Sequence, residues 1–102
     1  MNNEVINLLK DKNYVLPEYL IKNYKKIGLD ANLLIFIVYL INLEKPIICN
    51  YKVFASDLNI SEKEVLNIIN ELKEKRLLEI EVKKNNASKL EEYINLDLFF
   101  NK

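Results

Sequence analysis

Apolar residues recur along this chain at intervals that change character several times. From Asn3 to Lys10, Val5, Ile6, Leu8 and Leu9 keep helical spacing, which predicts a short opening helix. Asp11, Lys12 and Asn13 interrupt it. Tyr14, Val15 and Leu16 then bring β-favouring side chains in front of Pro17, which biases its predecessor toward extended backbone, so a brief strand is expected there. Pro17 suits the first position of a helix, where its missing N–H costs nothing, and Glu18 suits the positive end of the helix dipole. Leu20, Tyr24 and Ile27 form one stripe on that helix. Gly28 is placed to close it in a left-handed conformation, and Asp30 to cap the next. That next helix, Ala31 to Asn42, is apolar on nearly every face and should be buried.

Glu44, Lys45 and Pro46 end it, and Ile47 to Cys49 make a candidate short strand. Val53, Phe54, Ala55 and Leu58 fit a short helix, Asn59 and Ile60 a tight turn, and Ser61 with Glu64 a capping box heading a longer helix. Along the longer helix Val65, Ile68, Ile69 and Leu72 give one buried face. Ala55 is small enough for two helices to cross closely, and Asn59 can enter the left-handed turn that Gly often fills. The sum is a helix-turn-helix. Beyond Arg76, Leu78, Ile80 and Val82 alternate with Glu79, Glu81 and Lys83, the period of a half-buried strand. Lys84 to Ser88 supplies a turn, and Leu90, Tyr93, Ile94 and Leu96 a second strand, the adjacent Tyr93 and Ile94 implying a bulge or a change of face. The tail from Leu96 to Phe100 is apolar and should pack down. The predicted fold is mostly α with a small β wing (α+β): a winged helix-turn-helix with an added N-terminal helix-strand-helix element, in one domain over residues 1–102.

Composition narrows the chemistry. The 102 residues include no His, one Cys and one Gly. Without His and with a single Cys, the usual general base, zinc cage and disulfide framework are missing. One Gly cannot build a phosphate loop or a dinucleotide fingerprint. Cys49 reads as a small buried hydrophobe. No enzyme activity, cofactor or metal is expected. Lys+Arg and Asp+Glu number 15 each, so the formal net charge is zero and any nucleic-acid contact must be local rather than driven by bulk attraction. The most apolar run, Leu33 to Ile41, falls short of the ~20 residues of a membrane span. No signal-peptide pattern opens the chain, which reads as cytoplasmic.

Several of these stretches carry a resemblance. Leu16-Pro17, then Leu20-Ile21-Lys22-Asn23-Tyr24-Lys25-Lys26-Ile27-Gly28-Leu29, then Leu58-Asn59-Ile60-Ser61, Leu77-Leu78-Glu79-Ile80, and finally Tyr93 and Leu96 together resemble the N-terminal domain of the DnaD family of bacterial primosome and replication initiation proteins. The resemblance implies a winged-helix body, here residues 30–98, and a helix-strand-helix oligomerisation element, here residues 3–27. It also implies that strong DNA binding resides mainly in a separate C-terminal domain. One departure stands out: the second helix of such winged domains commonly ends in Lys-Gly, where this chain has Lys75-Arg76, so its exit turn must be built differently.

Two sets of candidate residues follow. By position the resemblance implies Val5, Leu8, Leu9, Tyr14, Val15 and Leu16 as the oligomer interface; an exposed strand edge is a ready site for pairing with a second copy, and with the family likeness a homodimer is favoured. Lys63, Asn67 and Asn70 on the second helix, with Lys83, Lys84 and Lys89 on the wing, are the possible DNA contacts. Glu62, Glu64, Glu71 and Glu74 balance the helix's basic residues, so a solvated face is the favoured reading there. The expected role is an oligomerisation and scaffold domain that docks other primosome proteins; a stand-alone winged-helix regulator of transcription is the alternative.

Overall fold

The computed structural model describes residues 14–100. The helix expected over Asn3–Lys10 lies outside them, and with it Val5, Leu8 and Leu9. The chain divides into two compact units, Met1–Asn42 and Leu43–Lys102. Among the described residues there are five helices and one three-stranded antiparallel sheet, the mostly α, α+β composition that the pattern predicts.

In the first unit, helices α1 (Glu18–Ile27) and α2 (Ala31–Ile41) are joined by a three-residue turn. Pro17 stands one position before α1, with extended backbone, and its carbonyl accepts the N–H groups of Leu20 and Ile21. Gly28 has φ 98°; its N–H bonds the Lys25 carbonyl and the Leu29 N–H bonds that of Tyr24, the paired bonds of a Schellman end. Asp30 then caps α2, its carboxylate accepting from the Leu33 N–H at 2.9 Å. In α2 the residues Phe36 to Leu40 are buried consecutively, as expected of a helix apolar all round.

The strand expected at Tyr14–Leu16 does not form. A ladder needs a neighbouring backbone, and among the described residues none pairs with this segment; a side chain takes that place instead. The Val15 N–H donates to Asn42 Oδ1 at 2.7 Å, and Asn42 Nδ2 donates to the Val15 carbonyl at 3.0 Å.

The second unit runs β1 (Ile47–Ile48), α3 (Tyr51–Leu58), α4 (Glu62–Glu74), β2 (Glu79–Lys84), β3 (Leu90–Asn95) and a closing turn of helix α5 (Asp97–Phe100). Asn50 caps α3 through the Val53 N–H, and Ser61 caps α4 through the Glu64 N–H at 3.0 Å. Between the helices Asn59 has φ 55°, and the bonds from Asn59 to Ser56 and Ile60 to Ala55 repeat the Schellman pattern. The end of α4 uses it a third time: Arg76 takes φ 58°, its N–H reaching Lys73 and that of Leu77 reaching Leu72. The missing Gly is therefore replaced by a strained Arg in the same geometry, not by a different turn. Phe54, Ala55, Val65, Ile69, Leu72, Leu77 and Leu78 are buried.

Strand order is β1-β3-β2. The β2–β3 register runs unbroken from Glu79 opposite Asn95 to Lys84 opposite Leu90, so of the two expectations at Tyr93–Ile94, a bulge or a change of face, the bulge is absent. Ile94 pairs with Ile80 and Ile47 on the buried face, and Tyr93 lies on the opposite face, where its hydroxyl donates to Glu91. The tail packs as expected through Leu96 and Phe99, while Phe100 stays exposed.

Candidate functional site

Two surfaces hold the residues nominated from sequence. The first is the segment from Tyr14 to Ile21, in which Tyr14, Val15, Leu16, Tyr19 and Ile21 are large, apolar and exposed, Val15 most of all at 70%. Such a density of uncovered apolar side chains is unusual for a surface without a partner. Asn42 fixes the segment, because its Nδ2 also donates to the Val38 carbonyl at 2.7 Å and so ties the extended chain to the last turn of α2. The Tyr14 ring adds a tilted contact to the buried Tyr39 ring, 6.5 Å between centroids. In an extended chain the N–H and C=O of one residue point one way and those of the next the other.

Sequence reasoning nominated Tyr14, Val15 and Leu16 but passed over Tyr19, Ile21 and Ile35, which are also exposed. Tyr19 and Ile21 flank Leu20, the buried member of the α1 stripe, so the signal was present: they are apolar residues off the apolar stripe.

The second surface is polar. Lys63, Asn67 and Asn70 stand at helical spacing on one exposed face of α4, with the exposed Leu66 among them. Glu62, Glu64, Glu71 and Glu74 are exposed on the same helix. The three hairpin lysines do not form one face. Strand alternation places Lys83 and Lys84 on opposite faces of the hairpin, and Lys83 is held by Glu81 at 2.7 Å. Lys89 lies in the turn, which Asn85 organises: its Oδ1 accepts from the Ala87 and Lys89 N–H groups and its Nδ2 donates to Glu91. Glu81 also accepts from Asn95 Nδ2. These two bonds, that of Lys83 first, hold the Glu81 carboxyl below its ordinary range.

Cys49 is half-buried beside Tyr51. Burial pushes its thiol up, away from the thiolate a nucleophile needs, and pushes the Tyr51 hydroxyl up to about 12. Among the described residues no group of three or more Cys, Asp and Glu is arranged to hold a metal ion, and no helix is long and apolar enough to cross a membrane.

Comparison with known proteins places this geometry in context. The family model described as the DnaD N-terminal domain matches residues 16–102. No curated protein matches the chain significantly.

Proposed function

Because this chain belongs to the DnaD N-terminal domain family, we propose that it is a non-enzymatic oligomerisation and scaffold domain of a DnaD-like replication protein, with a winged-helix body and a self-associating N-terminal element. The domain spans residues 1–102, and the element residues 3–27. The observation that carries this reading is the exposed Val15, whose N–H and C=O are both held by the carboxamide of Asn42. A second copy laid against the opposite edge gains main-chain hydrogen bonds and covers Val15, Leu16 and Tyr19 in one step. A symmetric dimer is the simplest product. Holding copies together raises the effective concentration of any DNA-binding domain tethered to each, and leaves the rest of the surface to dock other primosome proteins in the cytoplasm.

Duplex binding by the winged helix itself is the second reading, favoured by Lys63, Asn67 and Asn70 sharing one exposed face. Asn can read adenine and Lys can meet phosphate. Against it stand the four glutamates of α4 and the division of the wing lysines, since duplex affinity comes largely from phosphates neutralised together.

Sedimentation of the isolated chain separates the readings. Self-association is expected, with duplex binding weak and shallow in its salt dependence. Val15→Asp should yield a smaller species with an unchanged far-ultraviolet spectrum, because a second copy would bury an unpaired charge. A monomer that binds duplex tightly, or a Val15→Asp protein of unaltered mass, overturns the proposal.

A further inference from the structure

Helices α1, α3 and α4 close alike, each on one residue in the left-handed region: Gly28, Asn59 and Arg76. Gly reaches that conformation freely and Asn at little cost, whereas Arg carries a Cβ and has no short polar group to bond locally. Arg76 is also the one Arg among the 15 Lys and Arg of the sequence. The helix dipole does not account for it, because Lys73 in the last turn and Lys75 at the cap already place positive charge at that end of α4. A strained residue kept where Gly would fit implies that its side chain is used.

That side chain stands at a hollow. Lys73, Arg76, Leu78, Glu79, Ile80 and Leu98 line an open cavity of about 560 Å³ at the end of α4. Leu78 is buried and Ile80 and Leu98 are half-buried, so the floor is aliphatic, while Lys73 and Arg76 are exposed at its rim. Successive side chains of a strand alternate, which turns Glu79, the one acid of the lining, to the face opposite Ile80. Neither Lys73 nor Arg76 has a carboxylate within ion-pair distance among the described residues.

The hollow therefore suits an oxyanion joined to an apolar group. Arg holds a carboxylate through two parallel N–H bonds, where Lys offers only a point charge. Nucleic acid fits poorly: no aromatic ring lines the hollow for a base to stack on, and two cations neutralise few phosphates. A detached small acid needs a pocket that encloses most of its surface, and this one is open. The end of a polypeptide needs only its last residue covered.

We propose that this hollow captures the C-terminus of a partner protein, with the terminal carboxylate on Arg76 and Lys73 and a leucine-like last side chain against Leu78, Ile80 and Leu98. The site rests on the docking part of the function proposed above and uses none of residues 14–21, so carboxylate capture and self-association fail separately.

The test titrates the isotope-labelled full chain with an N-acetylated Gly-Ser-Gly-Ser-Leu peptide bearing a free terminal carboxylate, followed by amide NMR. Saturable shifts at residues 73–80 and at Leu98 are expected, lost when the terminus is a carboxamide and weakened when Gly replaces the last Leu. Arg76→Gly should bind roughly ten-fold more weakly, the scale of a charge-assisted hydrogen bond, while melting higher than the parent, so unfolding cannot explain the loss. Arg76→Lys, which keeps the charge without the fork, should fall between, and carries the test if the Gly variant fails to fold. Absence of those shifts at millimolar peptide, equal binding by the carboxamide, or undiminished binding by both variants overturns the proposal. So does equal affinity for N-acetylleucine, which would mark a free acid as the ligand, tighter binding of oligothymidylate at the same residues, or shifts there on dilution without peptide, which would mark a second copy as the occupant.

Discussion

Replacing Asn42 by Ala removes three hydrogen bonds at once, those to the N–H and C=O of Val15 and that to the carbonyl of Val38. A hydrogen bond contributes about 0.5–1.5 kcal/mol net, and the two to Val15 are exposed, which puts them at the low end. Freeing the segment also loosens the contact of Tyr14 with Tyr39, an aromatic pair of the kind worth about 0.5–1.5 kcal/mol. Ala returns a few tenths of a kcal/mol through its better helix propensity. The expected loss is about 2 kcal/mol, read by urea unfolding at one fixed protein concentration, since self-association would otherwise shift the midpoint. Asn42→Asp sharpens the reasoning. It keeps the acceptor for the Val15 N–H but sets a carboxylate oxygen against two carbonyls, so at neutral pH it should cost at least as much as Ala. The clash raises the carboxyl's folded pKa above its unfolded value, so stability returns as pH falls and the acid becomes a donor. Ala within about 0.3 kcal/mol of the parent, or Asp milder than Ala at neutral pH, would refute the claim that this carboxamide stands in for a strand.

Two further outcomes follow from local geometry. Arg76→Gly removes a left-handed strain of about 1–2 kcal/mol, offset by about 0.4–1 kcal/mol of added freedom in the unfolded chain; the net gain of about 0.5–1 kcal/mol should raise the melting temperature by several degrees, and a lower one counts against the strain. Glu81, with its folded pKa depressed by Lys83 and Asn95, contributes stability above its ordinary value of 4.5 that is lost as pH falls through the depressed one. Carbon-13 titration should find its midpoint below 4.5, and Lys83→Met should move that midpoint upward; an unmoved midpoint sinks the assignment.

The sequence was most legible where one residue decides one local conformation. Gly28 and Asn59 take the left-handed positions foreseen for them, and Asp30 and Ser61 accept the N–H groups foreseen for caps. It was least legible where a partner decides. Tyr14 to Leu16 have strand-forming side chains, but a strand is a relation between two backbones, and nothing in the local pattern says that the side chain of Asn42 will take the place of the second one. The same holds at Tyr93, where two adjacent apolar residues suggested a bulge or a change of face. Tyr93 is amphipathic, and the Glu91 carboxylate on its own strand lets it sit on the polar face without breaking the register. Lys83, Lys84 and Lys89 looked like one basic tip because they are close in sequence; alternation and the Glu81 bond turn Lys83 away from Lys84.

The residues that shape the α3–α4 pair and those that would contact a duplex are separate sets. Ala55, Val65, Ile69 and Leu72 are buried, and the Schellman bonds at Asn59 and Arg76 close the two helices. None of these requires a charge on the surface. The exposed residues of α4 are then free to lose a basic excess while the backbone stays in place, and here the helix interleaves glutamates with lysines. A duplex binder must keep several cations aimed at phosphates together, because the gain from released counterions grows with the number of phosphates neutralised. The proposed assembly role needs instead an uncovered apolar segment, and residues 14–16 are exposed, with Val15 tied down by one carboxamide. Under the proposed reading, a helix-turn-helix pattern is therefore weak grounds for DNA reading, and the exposed Val15 is the stronger guide to a partner surface.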